Sequence, residues 1–162
     1  MKPIRLLFVC MGNICRSPTA AGVMRGLLRE QGLDGKVEVD SAGTGDWHVG
    51  SPPDARAGAA ARSRGITLEG AARVVARGDF DDFDLILAAD RRNLHELRAV
   101  APGDSRARLH LLREFDPASE GAPDLDVPDP YYGGDDGFEH VIDLVDAACR
   151  GLLAQLRADG RI

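Results

Sequence analysis

The chain has 162 residues and a formal net charge of −6, with 20 Lys and Arg against 26 Asp and Glu. This length suits one domain with a sizeable core, so we expect residues 1–162 to form a single domain. The acidic balance argues against a nucleic-acid partner. No apolar run approaches the roughly 20 residues of a membrane span, so we expect no membrane partner either.

The cysteine count and the N-terminus point to a reducing compartment. Three cysteines is an odd number, and two of them, Cys10 and Cys15, lie too close in sequence to join distant segments. The first residues show no secretory signal pattern, because Lys2-Pro3 leads directly into the first apolar run. We therefore expect a cytoplasmic location.

The first predicted element is a buried strand that ends at a cysteine. An apolar run at residues 6–9 leads to Cys10, and Arg16, Ser17 and Pro18 follow after five intervening residues. Ser17 is predicted as a helix N-cap with Pro18 in the first turn. Cys10 then lies on a strand-to-helix loop whose N–H groups can converge on one anion. The helix dipole and the Arg16 guanidinium add positive charge there.

This loop predicts a nucleophilic thiol. Positive charge and donated hydrogen bonds favour the thiolate form of a cysteine, which is the reactive form. Cys-x5-Arg alone is a weak pattern, and a buried, inert cysteine is the alternative. The joint occurrence of Cys10, Gly12, Asn13, Arg16 and Ser17-Pro18 favours attack on a tetrahedral oxyanion such as a phosphate ester.

Helices and strands alternate along the rest of the chain. We predict helices at 18–31, 54–64, 90–100 and 138–157, a helical turn at 79–83, and strands at 36–43, 84–89 and 108–112. Residues 66–78 are either a short edge piece at Val74-Val75 or a connection. The alternation predicts a doubly wound α/β fold with a parallel sheet. Ligands bind such sheets beyond the carboxyl ends of the strands, where Cys10 falls.

Two loops carry candidate substrate contacts. Residues 43–53 contain Trp47, and the long Pro/Gly/Asp loop 115–137 contains Asp129, Tyr131 and Tyr132. A loop of that length in a compact domain is usually functional or disordered. Three aromatic residues near one sheet edge suggest walls for a flat aryl substrate, with ordinary packing as the alternative. Asp129 has many acidic neighbours, and acidic loop residues are usually just solvated, so this pattern alone favours a solvated carboxylate.

Two motifs near opposite ends of the chain resemble those of the low-molecular-weight protein tyrosine phosphatases. They are VCMGNICRSP at residues 9–18 and DPYY at residues 129–132. Asp40–Thr44, Trp47 and Ala89-Asp90-x-x-Asn93 also match, so the resemblance covers essentially the full chain. It implies a four-stranded parallel sheet in the order 2-1-3-4 flanked by helices. It also implies hydrolysis in two steps through a phosphocysteine, without a metal or another cofactor.

The resemblance also implies a role for each matching residue. Cys10 would be the nucleophile, Arg16 would hold two phosphate oxygens, and Asp129 would act first as general acid and then as general base. Ser17 would offer its hydroxyl to the Cys10 sulfur, and Asn13 would be tied to Ser41 and fix the loop. The implied substrate-binding residues are Met11, Gly12, Asn13, Ile14, Cys15, Ser17, Trp47, Tyr131 and Tyr132.

The implied partners are proteins phosphorylated on tyrosine, with a cognate tyrosine kinase as a candidate. Phosphate or another oxyanion is expected in the site. No histidine has metal-ligand spacing, and Cys10-x4-Cys15 without a second pair is a poor zinc site, so no metal is expected.

Three alternatives stay open at this point. A phosphoarginine phosphatase would carry Thr where this chain has Ile14, whose apolar surface suits a phenyl ring. A thiol-coupled arsenate reductase needs two further cysteines after the third strand, and residues 80–100 contain none. A non-catalytic anion-binding module would not need Asp129 together with Cys10.

Cys15 is predicted to protect Cys10 from oxidation. The loop must curl to aim its N–H groups at one anion, which brings residues 10 and 15 towards the separation of a disulfide. A neighbouring thiol can condense with a cysteine sulfenic acid before irreversible oxidation. The alternative is that Cys15 is a small apolar residue packed under the loop.

Overall fold

Four strands and five helices alternate in the structure, a computed structural model that describes residues 2–134 and 136–162. The strands are β1 (Ile4–Cys10), β2 (Val37–Gly43), β3 (Leu85–Ala88) and β4 (Arg108–Leu111). The helices are α1 (Arg16–Glu30), α2 (Ala55–Arg62), α3 (Asp79–Asp82), α4 (Arg91–Val100) and α5 (Asp136–Ala158). Two short 3-10 turns, Leu112–Phe115 and Pro117–Ser119, follow β4.

The strands form one parallel sheet in the order β2-β1-β3-β4, which confirms the expected topology. β1 lies inside the sheet because its residues from Leu6 to Val9 place apolar side chains on both faces, as buried parallel strands require. Cys10, at its carboxyl end, is in register with Gly43 of β2. The nucleophile candidate is therefore at the edge of the sheet where ligands bind in this architecture.

Helices cover both faces of the sheet. Leu6 and Phe8 belong to a core cluster shared with α1 and α5. Leu7 and Val9 belong to a second cluster shared with α3 and α4. Successive side chains of a strand point to opposite faces, so one apolar strand supplies both halves of the core. The fold is the doubly wound α/β arrangement that the alternating pattern predicted.

α5 is the longest of these helices, with 23 residues. Its inner face is apolar, and it packs against α1 and against the 3-10 turn Leu112–Phe115. Across residues 2–134 and 136–162, no helix has the length and apolar character needed to cross a membrane.

Some predicted boundaries were wrong. α1 begins at Arg16 with Cys15 at the N-cap, whereas the sequence indicated Ser17 as the cap. The Ser17 hydroxyl instead bonds side chains of the loop, as described below. α5 begins at Asp136, two residues before the predicted start at 138, so the irregular loop is shorter than 115–137. Residue 135 of that loop lies outside the described residues.

Val74 lies in the segment 66–78, for which the sequence left either a short edge piece or a connection open. It forms an isolated parallel bridge with Gly43, beyond the end of β2, so the segment contains the short edge piece that was one of the two options. The backbone N–H of Gly43 also donates to the Arg73 carbonyl at 2.8 Å. This piece therefore lies beside the loop that follows β1.

Candidate active site

The loop between β1 and α1 has its carbonyl oxygens bonded outward. Within the described chain, none of the backbone N–H groups of residues 11–15 donates to a protein acceptor. Cys15 makes no side-chain capping bond at the start of α1. The loop therefore combines unused donors with the positive end of a helix dipole, which is an oxyanion site. The outward bonds run from Thr44 N–H to Cys10 C=O (2.9 Å), from Gly45 to Met11 (3.0 Å) and from Asp54 to Ile14 (2.8 Å).

Cys10 is buried at the base of this loop, and its Sγ lies 3.0 Å from Ser17 Oγ. Asn13 Nδ2 donates to Ser17 Oγ at 2.8 Å and to Ser41 Oγ at 3.0 Å. Asn13 has a φ of 57°, a left-handed conformation that Asn tolerates better than most residues. The tie between Asn13 and Ser41 that the resemblance implied is present, and it holds the loop in its curled shape.

Arg16 is buried, with 4% of its side chain exposed. Its Nη1 donates to Asp90 Oδ2 at 2.6 Å and to the Val127 carbonyl at 3.0 Å. Burial alone would lower the pKa of Arg16, but the negative charges of Cys10, Asp90 and Asp129 outweigh burial and the pKa is raised. The guanidinium is thus fixed in orientation and charged.

Asp90 has two functions at the end of β3. Its Oδ1 accepts the Asn93 N–H at 2.7 Å and caps α4. Its Oδ2 bonds Arg16. Asp90 therefore contributes both to the helix cap and to the site. One carboxylate therefore fixes the position of the arginine relative to the sheet.

Asp129 comes to the same site from the far end of the chain. Its Oδ2 lies 3.6 Å from Arg16 Nη2, and its Oδ1 accepts the Tyr131 N–H at 3.1 Å. The side chain is 33% exposed, so the carboxylate can exchange protons with water. Its contact with Arg16 singles it out from the other acidic residues of its loop.

These side chains open onto one cleft of about 300 Å³. Ten of the thirteen residues that the sequence assigned to the site line it. Asn13, Ser17 and Ser41 do not line the cleft and lie behind the loop. Tyr131 and Tyr132 pack edge to face at 4.8 Å between ring centroids. The ten residues are Cys10, Met11, Gly12, Ile14, Cys15, Arg16, Trp47, Asp129, Tyr131 and Tyr132.

His48 also lines the cleft, although sequence analysis considered it only as a metal ligand. Its ring packs against Tyr131 with centroids 5.8 Å apart. It also lies over Gly12, where an added Cβ would come within 2.9 Å of His48 Cδ2. The available signal was its position next to Trp47 on a loop already assigned to the substrate.

Arg73 is a second residue that sequence analysis missed. Its backbone N–H donates to Asn13 Oδ1 at 3.0 Å, which completes the bonding of that amide. Its side chain pairs with Asp79 at 2.8 Å and Asp40 at 3.1 Å. The edge piece at Val74 therefore supports the loop from behind, and nothing in the local sequence pattern indicated this.

Cys15 differs from Cys10 in its surroundings. Burial, together with the nearby negative charges of Asp54, Cys10 and Asp129, raises the pKa of Cys15 to about 12. It therefore keeps its proton at neutral pH. Cys10, Cys15 and the fully buried Cys149 are all free thiols.

Comparison of the sequence with known proteins identifies close relatives. The family model described as "Low molecular weight phosphotyrosine protein phosphatase" matches residues 5–162. A Streptomyces coelicolor protein named low molecular weight protein-tyrosine-phosphatase is 49% identical over 154 residues, which cover 94% of this chain and 93% of that protein. Both findings confirm the resemblance carried by the two end motifs.

Solved structures of phosphatases have the same fold as this chain. A protein tyrosine phosphatase from Entamoeba histolytica with Hepes in its active site superposes with a TM-score of 0.90 at 38% identity, covering 98% of this chain and 99% of that one. A drosophila arginine phosphatase superposes with a TM-score of 0.88 at 32% identity, covering 98% and 99%. The backbone is thus similar to that of phosphatases named for either of two phosphoamino acids.

Proposed function

We propose that this chain, which belongs to the low-molecular-weight phosphotyrosine protein phosphatase family, hydrolyses phosphotyrosine with Cys10, Arg16 and Asp129 as its catalytic residues. Family members act through a phosphocysteine intermediate. The observation that best supports the residue assignment is that Cys10, Arg16 and Asp129 line the same cleft. Within it, Asp129 Oδ2 lies 3.6 Å from Arg16 Nη2.

In the first step, the Cys10 thiolate attacks phosphorus and the bond to the phenolic oxygen breaks. Asp129 gives its proton to the departing phenolate, since an aryl oxide leaves more easily as a phenol. The N–H groups of residues 11–15 and the outer edge of Arg16 bind the phosphoryl oxygens. These donors are fixed before the substrate arrives, so they need no reorganisation as charge develops.

In the second step, water attacks the phosphocysteine and the S–P bond breaks. The Asp129 carboxylate takes a proton from that water, and inorganic phosphate is released. The Ser17 hydroxyl, 3.0 Å from Cys10 Sγ, donates to the sulfur as it regains negative charge. Asn13 bonds the same hydroxyl and keeps it in place.

An aryl substrate fits the walls of this cleft. Trp47, Tyr131 and Tyr132 offer aromatic surfaces on which a phenyl ring can pack. Ile14 contributes an apolar contact rather than a hydroxyl that could meet a guanidinium. We therefore favour phosphotyrosine over phosphoarginine, even though the fold is shared with an arginine phosphatase.

Two other candidate functions have weaker support. Arsenate reduction by thiol relay needs two further cysteines after the third strand. Residues 80–100 contain none, and Cys149 is fully buried in α5, where burial raises the pKa of its thiol. A non-catalytic anion-binding module does not account for Asp129 beside Arg16. Both therefore become controls in the experiment below.

The wider assignments are also proposals. A single catalytic domain over residues 1–162 is supported by a family match that spans 5–162. A cytoplasmic location is supported by three free thiols, one of which must stay reduced to react. The substrates are proteins phosphorylated on tyrosine, and a cognate kinase is a candidate partner. A phosphate or sulfonate ion is expected to compete for the loop.

The test is an activity panel without added metal. The chain should hydrolyse p-nitrophenyl phosphate and phosphotyrosine peptides, and should act much more slowly on phosphoserine and phosphoarginine peptides. Arsenate with thioredoxin should not be turned over. Cys10→Ser should still bind vanadate but should lose turnover, because a hydroxyl does not ionise usefully at neutral pH. Residual hydrolysis by a pure Cys10→Ser sample would contradict the nucleophile assignment, and preference for phosphoarginine would contradict the substrate assignment.

A further inference from the structure

We propose that Arg56, in the first turn of α2, is a positioning residue that holds the Asp129 loop against the phosphate-binding loop. The proposal rests on the function proposed above and concerns how the general acid stays in reach of the leaving group. Arg56 does not line the cleft, and none of the site motifs includes it.

Arg56 is joined to the phosphate-binding loop through Asp54. Arg56 Nε and Nη2 bond the two Asp54 carboxylate oxygens at 3.2 and 3.0 Å. The Asp54 backbone N–H donates to the Ile14 carbonyl at 2.8 Å. Asp54 is also the N-cap of α2, accepting the Arg56 N–H at 2.8 Å. The guanidinium is therefore held at a fixed distance from the loop that follows Cys10.

The same guanidinium holds the acid-bearing loop. Arg56 Nη2 donates to the Tyr131 carbonyl at 3.0 Å. Arg56 Cζ lies over the rings of Tyr131 and Phe138, at 5.5 and 4.8 Å from their centroids. The Tyr131 N–H in turn donates to Asp129 Oδ1 at 3.1 Å. The backbone of Tyr131 is thus bonded to the acid through its N–H and to Arg56 through its carbonyl.

This link matters because the segment between residues 120 and 134 has no helix or strand of its own. Among the described residues, the Asp129 side chain is held only by its contact with Arg16 and by the local bond to Tyr131. A displacement of about 1 Å at a catalytic group can cost about 10²-fold in rate. Arg56 supplies the contact across the mouth of the cleft that resists such a displacement.

Arginine is the side chain that this position requires. Its planar fork bonds a carboxylate with two N–H groups and still has donors and a flat face for a carbonyl and an aromatic ring. Lysine has a single point charge and cannot make these contacts together. The hydrogen bond with Asp54 raises the pKa of Arg56 and lowers that of Asp54, so both stay charged at assay pH. The Arg56–Asp54 ion pair is partly exposed, so it adds little to stability. Its contribution is to fix the position of the Arg56 guanidinium.

The experiment compares Arg56→Met and Arg56→Lys with a matched control, Arg62→Met. Arg62 ends the same helix, is exposed, and its side chain forms no hydrogen bond or ion pair with the residues described. kcat/KM is measured over aryl phosphates of decreasing leaving-group acidity, because it reports the step in which the leaving group is protonated. Arg56→Met should lose about tenfold on phenyl phosphate, a part of the roughly 10²–10⁴-fold that a general acid contributes. The loss should shrink as the leaving group becomes more acidic.

Arg56→Lys should resemble Arg56→Met, and Arg62→Met should match the wild type. All variants should keep the wild-type melting temperature within a few degrees, which separates positioning from misfolding. In an Asp129→Asn background, adding Arg56→Met should change kcat/KM by less than about twofold, since the two residues act as one unit.

Two results would overturn the proposal. The first is a loss in Arg56→Met that is equal for all leaving groups, or that multiplies with the loss in Asp129→Asn, because Arg56 would then act on something other than the acid. The second is an Asp129→Asn loss that is itself independent of the leaving group. That second result rejects the acid assignment under the proposed function, so the two failures are distinguishable.

Discussion

Arg16 is bonded on one edge to Asp90 and Val127, which leaves its other edge for a phosphoryl group. A lysine at this position would keep the charge but would lose both the planar fork and the fixed orientation. We expect Arg16→Lys to lower kcat/KM for p-nitrophenyl phosphate by at least about 10²-fold, which is about 2.7 kcal/mol of transition-state stabilisation. The measurement is steady-state kinetics with the melting temperature as a control.

The comparison variant for this prediction is Arg25→Lys. Arg25 lies on α1 and donates to the Val39 carbonyl, outside the cleft. It should retain near-normal kinetics. Near-normal kcat/KM in Arg16→Lys would show that positive potential alone suffices at the loop.

Cys15 shares the cleft with Cys10 and keeps its proton at neutral pH, with a pKa of about 12. Part of that shift comes from the charge of Cys10, and this part disappears when Cys10 is oxidised to a neutral sulfenic acid. We expect wild type inactivated by peroxide to recover most of its activity with dithiothreitol. Cys15→Ser should start with near-normal activity and recover much less, because no neighbouring thiol can form a disulfide before further oxidation.

Peptide mass mapping should find a Cys10–Cys15 disulfide in the oxidised wild type. Cys149→Ser is the matched control, since Cys149 is fully buried in α5 and should not affect recovery. Equal recovery in wild type and Cys15→Ser, or absence of the disulfide, would leave Cys15 as a packing residue.

At the scale of elements, the contact between α5 and the turn after β4 leaves no room for a side chain. A Cβ on Gly151 would overlap the backbone carbonyl of Phe115. Helix propensity alone would favour alanine by about 1 kcal/mol. The clash with rigid backbone outweighs this, so Gly151→Ala should lower the free energy of unfolding by about 1–3 kcal/mol in urea denaturation.

Gly26 in α1 is the matched control. Among the described residues, no heavy atom outside the adjoining residues and turns of α1 lies within 4 Å of a Cβ added there. Gly26→Ala should therefore raise stability by up to about 1 kcal/mol. The expected changes in unfolding free energy have opposite signs for the two substitutions, which separates the effect of helix propensity from that of packing. A stabilising Gly151→Ala would show that the turn at Leu112–Phe115 can move away from α5 at little cost in free energy.

For the whole molecule, buried thiols make stability depend on pH at the alkaline end. Burial, with a smaller contribution from Asp146, raises the pKa of Cys149 above its ordinary value of 9.0. Above that pH the unfolded chain releases a proton that the folded chain keeps, so stability falls as pH rises. Each such group removes up to about 1.4 kcal/mol per pH unit.

We therefore expect the free energy of unfolding to decline from about pH 9 upward, and Cys149→Ala to decline less steeply. Urea denaturation between about pH 8 and about pH 10.5 measures both slopes. The difference in unfolding free energy between the two proteins at about pH 8 gives the cost of the smaller side chain, and this cost is subtracted at each higher pH. Parallel slopes in the two proteins would mean that Cys149 is not protonated differently in the folded and unfolded states.

The charge of the whole molecule also has a local exception. The chain is acidic at −6, yet the site presents unused backbone donors and the buried Arg16. Bulk charge argued against nucleic acid as a partner, but it did not exclude an anionic substrate. The local field can differ from the bulk charge because charges in a buried site are screened by salt much less than charges on the surface.

The sequence by itself determined the α/β alternation, the position of Cys10 at the end of a buried strand, and, through its end motifs, the family and the sheet order. These features are local or depend on short motifs, so periodicity and residue type report them. It also indicated Asp129, but only the tertiary structure separated this carboxylate from its acidic neighbours, by the contact with Arg16. The start of α1 was missed because the Ser17 hydroxyl bonds Cys10 and Asn13, which a capping rule does not foresee. Asp90, Arg73, His48 and Arg56 reach the site or its loops across long sequence separations, and no periodic pattern records which distant backbone group a polar side chain will meet.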